Sequence, residues 1–350
     1  MISNGQKIVG MNTRIPAEEI MLPEILRAVG YNTGMVGKWH MGDVSPSLPN
    51  DFGFESYYGA RYSNDMQPFM LYRNETIEEE AELDQTRMNA LYTREVVSFV
   101  EQQDSENPFF LYYAHNFPHI PLYSSPEQAG QSNAGLYVDV VEDIDRSIGE
   151  LLRALERKGL TENTLVIFTS DNGPWYQGNP GYVRGRKNQT WEGGQRVPFI
   201  VQWPEHVAAG VDDVSLISGV DLLPTVLRLL ALPAPGDRQI DGVDISTALL
   251  GIGPLPERPL FYFPQGGDFP DAVRDSRFKY HRRRGVRASG ANEYFDVLAP
   301  KGPWLFDLAF DPQESYDVSE RYSADASRLQ SIYQQRVDEM KTNPRGWVEN

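Results

Sequence analysis

Thr164-Leu165-Val166-Ile167-Phe168-Thr169 is an unbroken, mostly apolar run that stops in Ser170-Asp171-Asn172-Gly173-Pro174. A short run of this kind, ended by turn residues, reads as a strand buried on both faces of a sheet. The same pattern occurs upstream. Phe109-Phe110-Leu111-Tyr112-Tyr113-Ala114 leads into His115 and His119, and Asn32 to Val36 leads into Gly37-Lys38-Trp39-His40-Met41-Gly42. Phe199-Ile200-Val201 is a further run, stopped near Pro204. Helical spacing fills the intervals. Leu22 to Val29 has Pro23 in its first turn and Gly30 just past its end. Residues 84–102 place Met88, Leu91, Val96, Phe99 and Val100 on one face. Residues 138–158 place Val141, Ile144, Ile148, Leu151, Leu152 and Leu155 on one side, with acids early, bases late and Gly159 closing the helix. Asp221 to Leu232 reads as another helix. Helices alternating with apolar strands predict an α/β fold, a central β-sheet with helices on both faces. Ligands bind outside the carboxyl ends of such strands, and Lys38/His40, His115/His119 and Asp171/Asn172 all stand at such ends.

Pro233 to Pro259 is rich in Pro and Gly and reads as a connector, with a short Ile245–Leu250 segment inside it. Beyond it, Leu260 to Phe263, Ala272 to Lys279 and Trp304 to Leu308 look like short antiparallel strands. Leu329, Ile332, Val337 and Met340 suggest a final helix. The expected organisation is an α/β domain over 1–250 and a small C-terminal α+β subdomain over 258–350.

The chain has 32 basic and 49 acidic residues, a net charge of −17 that argues against a nucleic-acid partner. An anion would need a local basic cluster. No apolar run approaches the roughly 20 residues of a membrane span, so no membrane partner is expected. There is no cysteine, which excludes disulfides, thiolate metal sites and an unmodified cysteine nucleophile. The polar residues after Met1 show no signal peptide. A periplasmic or secreted location is expected only if such a peptide lies upstream.

Lys38 and His40 are two residues apart, so in an extended segment both face one way and Trp39 the other. A cation beside an imidazole suits an anionic oxygen and a proton transfer, although two bases facing water around a packed Trp39 is the commoner arrangement. Asp171 and Asn172 offer only oxygen ligands, which suit calcium or magnesium rather than zinc; an Asx turn into Gly173-Pro174 is the plainer alternative. Pro118 disfavours a helical metal pair from His115 and His119, and His115 reads as a hydrogen-bonded structural histidine. Lys187 sits in Arg184-Gly185-Arg186-Lys187-Asn188-Gln189-Thr190-Trp191-Glu192-Gly193-Gly194, a basic loop able to wrap an anion or simply to be solvated. The basic run His281-Arg282-Arg283-Arg284 is given no catalytic role, and Glu78-Glu79-Glu80 reads as a solvated face.

Together these motifs resemble the sulfatase family of the alkaline phosphatase superfamily, nearest the arylsulfatase type. Gly30 to Gly42 is similar to the family's second signature, Phe109 to Pro121 to its histidine strand, and Ile167 to Pro174 to its metal strand. Lys187, five residues before Glu192-Gly193-Gly194 and followed by Arg196 and Pro198, resembles its lysine loop. Asp221-Leu222-Leu223-Pro224-Thr225 and Leu305-Phe306-Asp307-Leu308 with Asp311-Pro312 resemble later landmarks. The order is kept over most of residues 13–320.

The resemblance implies an alkaline phosphatase-like sheet and a sulfuric ester hydrolase acting on a sulfated small molecule or glycan. It implies calcium (or magnesium) held by Asp171 and Asn172, and a hydrated formylglycine that attacks sulfur. Lys38 and Lys187 would bind the sulfate oxygens. His119 would protonate the leaving alcohol with help from Lys187, and His40 would take the remaining hydroxyl proton when sulfate is expelled. Ser63, in Tyr62-Ser63-Asn64-Asp65, would contact the sulfate. Lys38, His40, His119, Asp171, Asn172 and Lys187 are expected around one pocket shaped for a tetrahedral dianion.

The chain departs from the family in one respect. The formylglycine arises from a Cys/Ser-x-Pro-Ser-Arg-like motif, and this sequence has no cysteine and no Ser-x-Pro-x-Arg; Ser124-Ser125-Pro126-Glu127-Gln128 fails at the arginine. In the family that motif, and the paired aspartates that complete the metal site, lie upstream of the segment matched here. The expectation is a sulfatase lacking its N-terminal segment, inactive or incomplete as it stands, with strand edges and apolar surface exposed. The alternatives are a phosphodiesterase or phosphonate hydrolase of the same superfamily, and a non-catalytic protein that binds sulfated glycans.

Overall fold

The computed structural model describes residues 15–79, 83–264, 267–282, 302–346 and 348. The chain divides into two compact units, one running to Thr164 and the other starting at Leu165.

The first unit runs α1 (Leu22–Ala28), β1 (Asn32–Gly37), β2 (Ser56–Gly59), β3 (Leu71–Arg73), β4 (Thr76–Glu79), α2 (Met88–Glu101), β5 (Phe109–Ala114) and α3 (Leu136–Arg157). Its sheet has the order β4-β3-β2-β1-β5. β1 is parallel to both neighbours, with Gly34 opposite Ser56 on β2 and Leu111 on β5. β3 and β4 continue the sheet as an antiparallel meander. Alternation along the strands divides the core. Val36 and Tyr58 join Leu91, Tyr92 and Val96 of α2 and Val140 of α3. Met35 and Tyr57 join Trp39, Phe52 and Phe54 in a second cluster. Each such large side chain withdrawn from water contributes roughly 1.5–3 kcal/mol.

Two expectations are corrected here. The stripe that α3 buries is wider than its apolar residues suggested: Ile144 and Leu151 pack against the core and Leu155 is buried, as expected, but polar residues join them. Val141 is 41% exposed, whereas Asp139, Asp143 and Ser147 are buried. The carboxylates go inward because backbone donors need them: Asp139 accepts from Gly130 N and Ser132 N at 2.9 and 2.8 Å. Asp143 accepts from both the backbone N and Oγ of Ser125 at 2.9 Å. β5 is not a central strand buried on both faces. Among the described residues it pairs with β1 alone, and Tyr112 is 49% exposed.

The second unit runs β6 (Val166–Thr169), α4 (Glu192–Gln195), β7 (Phe199–Gln202), α5 (Leu222–Leu229), α6 (Ser246–Leu249), β8 (Leu260–Tyr262), β9 (Ala272–Arg274), β10 (Phe278–His281), β11 (Trp304–Asp307) and α7 (Ser323–Thr342). β6 and β7 form an antiparallel ribbon with Phe168 opposite Ile200. Among the described residues the buried strand expected at 164–169 is therefore half of a two-stranded ribbon, with no third strand paired to it. The remaining strands form an antiparallel sheet, β11-β10-β9-β8. Val273, Tyr280 and Leu305 of that sheet pack with Leu329, Tyr333 and Val337 of α7. The single strand expected over 272–279 is two, broken where the Asp275 carboxylate accepts from Arg277 N and Phe278 N at 2.8 and 2.6 Å.

The Asp221 landmark is structural. Its buried carboxylate accepts from Ser218 N and Val243 N at 2.7 and 3.0 Å and pairs with Arg258, tying α5 to the connector. His281 is buried and Arg282 bonds Tyr333 Oη at 3.1 Å, while Arg283, Arg284 and Glu80 lie outside the described residues. Among the described residues no helix is long and apolar enough to cross a membrane.

Candidate active site

Lys38, His40, Ser63 and His119 belong to the first unit, and Asp171, Asn172 and Lys187 to the second. Each group is built by its own local chain.

In the first unit the end of β1 is set by glycine. Gly37 has φ +116°, and a Cβ there would stand 1.9 Å from Ala114 O. Only a residue without a side chain lets β1 and β5 approach this closely. Lys38 N then bonds Ala114 O at 2.7 Å, while His40 N bonds Arg61 O at 2.8 Å. Trp39 turns inward, its Nε1 donating to Ser47 O at 2.8 Å. Lys38 is half-buried and His40 exposed, so the expected alternation holds. The segment is not simply extended, because His40 has φ +61°. A non-glycine residue in that region is strained and is held there by its surroundings. Those surroundings are Tyr62, whose ring stands edge-on at 5.4 Å, and the buried Ser63, whose Oγ is 3.4 Å from His40 Nδ1.

The 60–64 segment also meets the histidine strand. Asn116 Nδ2 donates to Tyr62 O at 3.3 Å, and Asn64 Nδ2 donates to Pro121 O at 2.9 Å. His119 thus stands on a turn bonded to the segment that carries Ser63. Its Nδ1 lies 2.7 Å from Ile120 O, and a carbonyl only accepts. Nδ1 therefore carries the proton in the neutral ring, and Nε2 is the nitrogen that gains or loses one. His115 has the structural role expected of it. Its Nδ1 accepts from Phe117 N at 2.9 Å, and its Nε2 pairs with Asn89 Oδ1 at 3.0 Å. Burial pushes its pKa down to about 3, so it stays neutral.

In the second unit Asp171, Asn172 and Lys187 are gathered by a knot of close backbone contacts. Gly173 N bonds Gly194 O at 3.0 Å, Gly193 N bonds Arg184 O at 2.6 Å, and Lys187 N bonds Pro174 O at 3.0 Å. A Cβ on Gly173 would fall 2.0 Å from Gly193 O, and one on Gly194 would fall 2.2 Å from Gln189 O. Glycine is required at both positions by the approach itself. The arginines of this loop are used internally: Arg186 donates to Trp175 O and Gly178 O, and Arg184 to Glu314 O.

The knot rests on a buried ionic cluster that sequence reasoning missed. Glu192 Oε1 meets Lys279 Nζ at 3.0 Å and accepts from Tyr262 Oη at 2.8 Å, and its Oε2 meets Arg274 at 2.7 Å. Lys279 Nζ also reaches Glu314 at 3.1 Å, and Glu314 accepts from Glu192 N at 2.7 Å and pairs with His281 at 2.8 Å. Burial alone would raise the Glu192 carboxyl, but Lys279 and Arg274 outweigh it and hold the pKa down at about 2. Burial lowers the His281 pKa. The available signal was Lys279 and His281 alternating with Phe278 and Tyr280 in β10, an unusual place for a lysine.

The metal expectation meets only two oxygen donors. Asp171 is exposed and Asn172 half-buried, with the Asn172 amide donating to Gly173 O at 3.0 Å. Calcium takes six to eight oxygens. Among the described residues no group of three or more His, Cys, Asp or Glu could hold a metal ion. Asp171 and Asn172 do not by themselves make the calcium site that the resemblance implied.

A sulfatase family model matches residues 3–232. The chain belongs to the sulfatase family. That family is one of sulfuric ester hydrolases. The sequence is 35% identical to N-acetylgalactosamine-6-sulfatase of Canis lupus familiaris, over 90% of this chain and 66% of that protein. It is 34% identical to human arylsulfatase A, over 87% of this chain and 68% of the relative. The chain thus spans about two thirds of the length of these curated relatives. The PsFucS1 sulfatase from Pseudoalteromonas sp. superposes with a TM-score of 0.84 at 26% identity, over 98% of this chain and 77% of that structure. The mixed sheet with its helices is therefore the alkaline phosphatase-like fold of the sulfatases.

Proposed function

We propose that this protein hydrolyses sulfate monoesters of a sulfated glycan. Lys38 and Lys187 neutralise the sulfate oxygens and stabilise the charge that develops on them. Ser63 Oγ donates a hydrogen bond to the same group. His119 delivers a proton from Nε2 to the leaving alkoxide, its ring held by the Nδ1 bond to Ile120 O. His40 is the residue placed to accept a proton; the atom that attacks sulfur is not among these residues, so no bond-forming step is assigned to them. Asp171 and Asn172 would supply two of the six to eight oxygens that a calcium ion takes. These two donors are an incomplete set, so the roles proposed here are binding and proton transfer alone. No residue of the sequence matches the formylglycine motif.

The observation that carries this reading is the family match over residues 3–232, a span within which all seven residues fall. The glycan substrate is supported by the N-acetylgalactosamine-6-sulfatase relatives. The test is sulfate release from 4-nitrophenyl sulfate and from 6-sulfated N-acetylgalactosamine, together with calorimetric binding of each ester. His119→Ala is expected to cut kcat about 10²–10⁴-fold, and Lys187→Ala to weaken binding as well. No sulfate release from either ester, with ligand binding unchanged in Lys38→Ala and Lys187→Ala, overturns the reading. A preference for phosphate diesters would replace it.

A further inference from the structure

The loop between Asn172 and Lys187 carries three aromatic residues, Trp175, Tyr176 and Tyr182. The two tyrosines face solvent, 59% and 62% exposed. An exposed tyrosine offers an apolar ring face to a partner while its hydroxyl stays in water. This loop is also ordered from within. Gly178 N bonds Trp175 O at 3.1 Å, and Gly181 N bonds Asn179 Oδ1 at 2.9 Å. Arg186 ties Trp175 O and Gly178 O together at 2.9 and 2.7 Å, one residue before Lys187.

The rings are held as well. Trp175 meets Tyr176 edge-on at 4.9 Å, and the Arg186 guanidinium stands 5.2 Å from the Tyr176 ring centre. Arg196 stands 5.8 Å from that of Tyr182. Cations at this distance from aromatic faces are attracted to them. The result is two exposed aromatic rings, each with a guanidinium beside it, in a chain whose net charge is −17.

We propose that Tyr176 and Tyr182 form a carbohydrate-stacking subsite for a sugar residue of a sulfated oligosaccharide, adjoining the residue whose sulfate Lys187 binds. A pyranose presents a face of C–H groups, which packs on an aromatic ring, and a rim of hydroxyls that stays hydrated. Arg186 and Arg196 place positive charge beside both rings, which favours an anionic chain over a neutral one. Tyrosine suits this task because it offers large area while fixing few torsions. The proposal rests on the assignment of Lys187 to the sulfate ester.

The test compares Tyr176→Ala, Tyr182→Ala and their Phe counterparts on 4-nitrophenyl sulfate and on two oligosaccharides. One oligosaccharide carries 6-sulfated N-acetylgalactosamine and the other is a sulfated galactan hexasaccharide. Each Ala variant is expected to raise KM for at least one oligosaccharide about tenfold, with kcat and all 4-nitrophenyl sulfate constants unchanged. The Phe variants are expected to behave as the parent. Binding of the same oligosaccharides by calorimetry is expected to weaken by the same factor, which reads the subsite without turnover. Unchanged binding of both oligosaccharides in the double Ala variant overturns the subsite, as does an equal loss on 4-nitrophenyl sulfate. Lys187→Ala separates the two ideas. Loss on all three esters upholds the Lys187 assignment whatever the tyrosines do, and no loss on any of them overturns that assignment.

Discussion

Lys279 Nζ lies 3.0 Å from Glu192 Oε1, with both side chains withdrawn from solvent. That pair joins the glycine turn behind Lys187 to the four-stranded sheet. Lys279 is also bonded to Glu314, so replacing it with an apolar residue leaves two buried carboxylates facing each other's field. Lys279→Met is expected to lower unfolding free energy by about 3–5 kcal/mol, measured by urea denaturation. Adding Glu192→Gln is expected to recover part of that loss, because the uncompensated charge is then removed.

Acid should act on the buried histidines before it reaches the Glu192 carboxylate. The folded His115 has a pKa near 3 because burial disfavours its charged form, against an ordinary 6.5. A lowered histidine pKa means the unfolded chain binds the proton first. Its contribution is present above pH 6.5 and is lost as pH falls. Between pH 7 and pH 5 His115 alone is expected to cost about 1–2 kcal/mol of stability. His281 is shifted in the same direction, also by burial. The Glu192 carboxyl is depressed from 4.5 to about 2, so its contribution persists until the pH falls well below 4.5. Thermal melts at both pH values check this: His115→Asn should flatten the slope, and an unchanged slope refutes the assignment.

The backbone knot around Gly173 makes a sharper claim about the site. A Cβ at Gly173 would stand 2.0 Å from Gly193 O, so Gly173→Ala must shift one of the two turns that set Asp171, Asn172 and Lys187. The substitution is expected to weaken binding of a sulfate ester by about tenfold or more, because misplacement of binding groups by about an ångström is enough. A Gly236→Ala control, where a Cβ would meet nothing within 4 Å and the backbone needs no positive φ, should leave binding intact. Calorimetry on 4-nitrophenyl sulfate reads both.

How far the sequence could be read follows from these contacts. β1, β5, α1 and α2 were legible because their apolar residues repeat at the period of the element and their ends carry glycine or proline. β2, β3 and β4 were missed, being three or four residues long and held by pairing rather than pattern. The α3 stripe was read only in part: Ile144, Leu151 and Leu155 pack as their spacing implies, but Asp139 and Asp143 are also buried as acceptors for a loop, a demand invisible to hydrophobic spacing. His115 was readable as structural. Glu192, Lys279 and Glu314 were not, because partners 87 and 35 residues apart along the chain leave no local signature. The landmarks at Asp221 and Asp307 were recognised by resemblance, and the structure shows why they matter: each is a buried carboxylate with an arginine partner.

The β6–β7 ribbon gives the last prediction. Phe168 and Ile200 are paired across the two strands and are 37% and 61% exposed. Among the described residues β6 pairs only with β7, and β5 only with β1. Open strand edges beside exposed apolar side chains template further pairing, and natural proteins blunt them with charge. The purified chain is therefore expected to self-associate as its concentration rises, measured by static light scattering. Ile200→Lys places a charge on the exposed face and should reduce that association. It should leave the melting temperature nearly unchanged, since a side chain so exposed contributes little by burial. Equal scattering from both proteins would show that the ribbon is not the adhesive surface, and a large fall in melting temperature would show that Ile200 is packed in solution.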